Sequence, residues 1–182
     1  IADSQNVDDL LYRYQHNNVF NEYGSIVIQK LPGDLPYLVI TSAELPTYKG
    51  DKKKVSGYYV DPQYPEFSFS FENAEIDVQG TSSAGYERKN FKIKFKGGFV
   101  INGKQTAKYA LRGDIRSIPT ATFTLKADVA SSEGANNVEL VRLYNDICPY
   151  KTPPQAEDPR IRQGIDGFPI VMFEDDGQNV TF

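Results

Sequence analysis

Lys89-Asn90-Phe91-Lys92-Ile93-Lys94-Phe95-Lys96 is the stretch that decides the fold class. Phe91, Ile93 and Phe95 fall on one side of an extended chain and Lys92, Lys94 and Lys96 on the other, the period of two that belongs to a strand with one buried and one solvated face. Gly97-Gly98 then supplies a turn. The same reading extends outward in both directions. Phe67, Phe69 and Phe71 alternate with Ser68, Ser70 and Glu72, which places three rings on one face of a strand upstream. Further strands are expected at 25–29, 37–41, 55–60, 99–101, 108–112, 122–127 and 168–173, with breaks at Pro32-Gly33 and in the lysine-rich stretch 49–54.

Two places carry a helical period instead. Val7, Leu10, Leu11 and Tyr14 follow Asn6 as a possible cap and run into Asn17-Asn18. Asn136 with Glu139 three residues on resembles a capping box, and Val138, Val141, Tyr144, Ile147 and Cys148 form a stripe closed by Pro149. The residues from 149 to 159 read as an exposed loop. The expected fold is therefore α+β, mainly antiparallel β-sheet with one or two short helices. Residues 1–22 are a helical lead-in and 23–182 one β-rich domain.

Composition agrees with that class. The chain has 182 residues, enough for one sizeable core, and its aromatic fraction of 13% consists of Tyr and Phe without Trp. A net charge of −4 and a pI of about 5.1 give no general attraction to phosphate backbones or anionic lipid, so neither nucleic acid nor a membrane surface is an expected partner. No stretch approaches the roughly 18 apolar residues of a spanning helix. The single cysteine, Cys148, makes no internal disulfide and belongs to no metal-ligand spacing, and the sole histidine, His16, has no partner in sequence. No metal site and no complete catalytic set is expected. Ile1-Ala2-Asp3-Ser4 has no signal-peptide order, and Val180-Thr181-Phe182 resumes a β pattern after the Asp175-Asp176-Gly177 turn. The expectation is a segment of a longer protein, cut within a hairpin.

The chemistry-bearing candidate is Gly80-Thr81-Ser82-Ser83 followed by Lys89, Lys92 and Lys94. A small hydroxyl-bearing turn with free N–H groups, leading into a strand with lysines on one face, has the ingredients of an anion cradle; a tight turn beside a solvated strand face is the plainer reading. Lys126 near a strand end and Glu139 at the start of the next helix could pair as a lysine and helix carboxylate do in kinase lobes, or be ordinary surface charge. Arg112-Gly113-Asp114 spells an adhesion tripeptide, read here as chance recurrence, and Glu174-Asp175-Asp176-Gly177 is read as a hairpin turn rather than a calcium loop. Tyr58, Tyr59 and Tyr86 are candidates for contact with a host surface glycan.

Ile76-Asp77-Val78-Gln79-Gly80-Thr81-Ser82-Ser83, then Arg88 to Phe95, then Thr124-Leu125-Lys126-Ala127-Asp128 together resemble the CotH kinase-like family. The resemblance spans about residues 36–182, and its form is most similar to versions in large bacteriophage and prophage structural proteins, where a Lys-Gly-Asp-Lys-Lys run also precedes the turn. It implies a fold like the N-terminal lobe of an atypical kinase. It also implies a setting in a virion or outside the cell, with other tail or baseplate subunits as partners in an oligomeric assembly. In that family a nucleotide lies between this lobe and a following helical one whose Asp residues handle magnesium, so in the alternative with ATP and Mg the nucleotide would be met by Gly80, Thr81, Ser82, Ser83, Lys89, Lys92, Lys94 and Lys126, with Glu139 orienting a lysine. After Asp128 the chain departs from the family, lacking an arginine beside Asn136-Asn137. The reading is thus a structural or adhesive module for host attachment that needs no cofactor, with a nucleotide-binding half-kinase as the alternative.

Overall fold

The structure, a computed structural model, describes residues 35–42, 44–113, 118–127, 140, 143, 144, 147, 157, 167–177 and 180–181. The expected strand at 25–29, the helical lead-in and most of the helix from Asn136 lie outside these residues, as do His16, Asp128, Glu139 and Cys148.

Nine strands form one mixed sheet among the described residues: β1 (Tyr37–Thr41), β2 (Lys53–Val60), β3 (Phe69–Gln79), β4 (Asn90–Phe95), β5 (Phe99–Ile101), β6 (Lys104–Thr106), β7 (Thr122–Leu125), β8 (Val171–Asp175) and β9 (Val180–Thr181). The order is β6-β5-β3-β2-β1-β8-β9, with β4 and β7 branching from β3. Every pairing is antiparallel except β1 with β8, which is parallel from Tyr37 opposite Val171 to Thr41 opposite Asp175.

β3 holds two partners along one edge because it bends. Its inward positions are Phe69 and Phe71, then Ala74, Ile76 and Val78, a change of phase across Glu72-Asn73. Opposite them the register jumps from Val55 with Ala74 to Gly57 with Phe71, so two residues of β3 face one of β2. That extra residue is a bulge, and Asn73 takes the left-handed conformation it needs, at φ 54°. The first half of β3 then meets β5 at Ser70 and Val100, and the second half meets β4 from Ala74 to Gln79.

The bend wraps the sheet around an aromatic cluster. Phe95 and Phe99 lie 4.5 Å apart between ring centres, Phe71 stands edge-on to Phe95 at 4.8 Å, and Phe69 edge-on to Phe99 at 5.0 Å, with Tyr109 and Phe123 closing the group. Such edge-to-face contacts add about 0.5–1.5 kcal/mol each beyond area burial. A second, smaller apolar group, Tyr37, Val39, Val171 and Phe173, lies on the opposite face of β1 and β8. β1 is thus buried on both faces, the situation in which parallel pairing is found.

Several expectations need correction. No strand runs from Lys108 to Arg112; Tyr109 makes a single bridge to Thr120, and Leu111–Gly113 is a turn because Arg112 sits at φ 51°, which an extended chain cannot hold. Phe67 belongs to a 3-10 turn begun by Pro65 rather than to β3. β8 starts at Val171, past Pro169, and β9 pairs with it, so the hairpin signalled by Asp175-Asp176-Gly177 closes within the chain.

Three tyrosines in this core titrate far from their ordinary range. Burial, with the neighbouring Tyr58, pushes Tyr37 up to about 12, and burial pushes Tyr109 up to about 12. Tyr59 is also pushed up, by burial and by the Asp61 carboxylate that accepts the hydrogen bond of its hydroxyl. Each keeps its proton at pH values where the unfolded chain has lost it. Stability is therefore complete below about pH 10 and falls as pH rises from there, each tyrosine removing up to about 1.4 kcal/mol per pH unit. Urea unfolding between pH 8 and 12 should show this slope. Tyr37→Phe should remove about a third of it without loss at neutral pH, since the Tyr37 hydroxyl has no hydrogen-bond partner among the described residues.

Candidate functional site

The turn after β3 is built on itself. Gly80, at φ 116°, lies so close to Ser83 that any Cβ there would overlap the Ser83 hydroxyl. Ser82–Gly85 then forms a 3-10 turn, in which Ala84 packs against the main core. Lys89 turns back and donates from Nζ to the Ala84 carbonyl at 3.0 Å. Asn90 holds the arrangement to the sheet: its amide donates to Ser83 Oγ at 3.2 Å, and its carbonyl accepts the Ala127 N–H at 2.8 Å. Sequence reasoning quoted Asn90 without giving it this role, and only the three-dimensional pairing of β4 with β7 reveals it.

The predicted residues therefore divide. Gly80, Thr81, Ser82, Ser83, Lys89 and the end of β7 that carries Lys126 come together at one end of the sheet. Ser83 and Lys89 are engaged with their own turn, while Thr81, Ser82 and Lys126 are exposed. Lys92 and Lys94 are not aimed at the turn. They project from the outer face of β4, opposite Asp77 and Glu75 on β3 and Thr124 and Thr122 on β7. Glu139 is outside the described residues.

On that outer face the two carboxylates are already occupied. Glu75 bridges Lys52 at 3.3 Å and also pairs with Lys96, and these two lysines hold its carboxyl below the usual carboxylate range. Asp77 accepts the Gly50 N–H at 2.8 Å. Among the described residues Lys54, Lys92 and Lys94 have no ion-pair partner.

A second polar centre went unpredicted. Asp61 is fully buried and accepts from Arg112 Nε at 2.6 Å, from Tyr59 at 2.9 Å, and from the N–H groups of Gln63 and Tyr64 at 3.1 and 3.2 Å. The Arg112 guanidinium lies over the Phe168 ring at 4.4 Å and near that of Tyr64 at 5.1 Å. The only local signal was Asp61 before Pro62, an Asx-turn beginning; the partner is 51 residues away. Arg112 is thus committed inside the fold instead of being offered in an adhesion tripeptide.

The proposed tyrosine platform does not assemble. Tyr59 is 5% exposed and stacks on Phe69 at 5.1 Å, and its neighbour Tyr58 points to the other face of the sheet, so only Tyr86 is exposed. No group of three or more potential metal ligands occurs among the described residues, and no described helix is long and apolar enough to cross a membrane.

Fold and surface together define a mixed β-sheet lobe with an aromatic interior and a lysine-bearing outer face. Comparison with known proteins returned no match to a family model, to a curated protein or to a solved structure.

Proposed function

We propose that this chain is a structural and adhesive module, of the kind expected in a phage tail or baseplate protein, on a sheet related to the N-terminal lobe of CotH-type kinases. It works by surface contact with neighbouring subunits and host, in a virion or extracellular setting. The observation that carries this reading is the state of the candidate phosphate groups. Ser83 and Lys89 are hydrogen-bonded within the turn itself, Asn90 ties the turn to Ala127, and Lys92 and Lys94 stand on an open sheet face rather than around a cleft. A nucleotide needs convergent donors around a concave site.

One observation favours the alternative, the nucleotide-binding half of an atypical kinase: Asn90 draws Ser83, Lys89 and the Lys126 end of β7 into one neighbourhood. The two readings separate in a thermal-unfolding experiment with millimolar ATP and magnesium. The adhesive reading expects an unchanged midpoint for the wild type and for Lys89→Ala and Lys126→Ala. A nucleotide-induced rise that either substitution abolishes would overturn it.

A further inference from the structure

We infer that the outer face of β2, β3, β4 and β7 is a docking surface for a linear acidic polysaccharide, with Lys54, Lys92 and Lys94 as its charge-reading residues. This deepens the adhesive reading and rests on it.

The face is an ordered array. Lys94 stands between Glu75 on β3 and Thr122 on β7, and Lys92 between Asp77 and Thr124, while Lys54 on β2 is opposite Glu75. Outward residues two apart on β4 are spaced by roughly 7 Å, and neighbouring strands by about 4.8 Å. Five lysines, Lys52, Lys54, Lys92, Lys94 and Lys96, share this face with three carboxylates, Glu72, Glu75 and Asp77. That leaves a surplus of two positive charges on a chain whose net charge is −4. Because Glu75 already binds Lys52 and Lys96, the surplus resides on Lys54, Lys92 and Lys94.

The chemistry of the face selects the partner. Protein interfaces draw their energy from apolar and aromatic anchors at the centre. Around Lys54, Lys92 and Lys94 this patch has none: Phe91, Ile93, Phe95, Ile76 and Val78 point into the core, and Tyr58 and Val60, farther along the same face of β2, pack against the Tyr37–Phe173 group. Single-stranded nucleic acid requires exposed rings for base stacking, and no ring flanks Lys54, Lys92 or Lys94 on this face. A polyuronate presents regularly spaced carboxylates and many hydroxyls, and no bases or apolar groups. Lysine ammonium groups supply charge-assisted bonds to the carboxylates, and the hydroxyls of Thr122 and Thr124, alongside Lys94 and Lys92, meet those of the sugar.

The test uses the whole chain and alginate as the probe, with dextran as the uncharged comparison, in titration calorimetry at low salt. The expected result is binding to alginate, absent with dextran and lost at high salt. K92A/K94A should weaken it by roughly tenfold, the effect of two modest charge contacts. K104A/K108A, which removes two exposed lysines away from this face, should leave it within about twofold. Circular dichroism of each variant confirms that the sheet is retained. Equal losses in the two double variants would mean net charge alone is read, and would overturn the proposal, as would absence of alginate binding. Binding of single-stranded oligothymidylate at equal affinity would overturn the choice of polysaccharide. A nucleotide-dependent thermal shift overturns the adhesive reading; a failure with alginate alone leaves that reading standing and removes only this one.

Discussion

Arg112→Ala is expected to lower the unfolding free energy by about 3–5 kcal/mol. Asp61 is fully buried, and the Arg112 guanidinium is the only cation paired with it among the described residues. Without that cation the carboxylate stays in the interior with neutral donors alone, Tyr59 and the N–H groups of Gln63 and Tyr64. Such an uncompensated charge costs far more than a lost surface pair, whose worth is about 0–1 kcal/mol. The substitution also strips the cation from the Phe168 ring and loosens three segments at once: the β2–β3 connection, the turn at Leu111–Gly113 and the approach to β8. Arg112→Lys should recover only part of the loss, because an ammonium neither stacks flat on Phe168 nor presents the planar fork of a guanidinium. Urea unfolding followed by tyrosine fluorescence, convenient in a chain without tryptophan, reads both variants. A loss under about 1 kcal/mol for Arg112→Ala would show that Asp61 is solvated in solution.

Gly57→Ala is the second large effect, expected at about 2–4 kcal/mol for the smallest possible addition. Gly57 occupies an inward position of β2, opposite Ile40 on β1 and Phe71 on β3. A Cβ there would overlap the backbone carbonyl oxygen of Val39 and stand 3.0 Å from the end of the Phe71 ring. The ring could turn, but the Val39 carbonyl belongs to an interior strand, and moving it disturbs pairings on both sides of β1. Gly103→Ala makes the control. Gly103 sits at φ 75° in the β5–β6 turn with nothing within 4 Å of a new Cβ, so its cost is that of the left-handed conformation alone, about 1 kcal/mol. Equal effects at the two positions would refute the packing account of Gly57.

Much of the sheet was legible in the residues. Asn90 to Phe95 alternates inward Phe91, Ile93 and Phe95 with outward Lys92 and Lys94, and Tyr37–Thr41 and Phe99–Ile101 fall where their composition puts them. Two further features were readable and went unread. Asn102-Gly103 is the strongest short hairpin signal there is, and both residues take the positive φ of a tight turn, at 49° and 75°, joining Ile101 to Lys104. The shift of apolar positions from Phe69 and Phe71 to Ala74, Ile76 and Val78 announces the bulge at Glu72-Asn73. The candidate turn was visible as a turn, but its self-contained hydrogen bonding was not. Ser83 and Lys89 could as well have faced a ligand until Asn90 and Ala127 were seen beside them.

By itself, then, the sequence determined that this protein is a β-sheet with an aromatic interior and a lysine-bearing exterior, because a period of two in apolar and charged residues is a local property that burial on one face enforces. Tertiary structure alone decided the parallel pairing of β1 with β8, the branching of β3 to both β4 and β5, the capture of Arg112 by Asp61 and the burial of Tyr59. Each of these joins residues far apart in the chain, and which distant partners meet is settled by the packing of the whole sheet around its core, a choice that no local periodicity encodes.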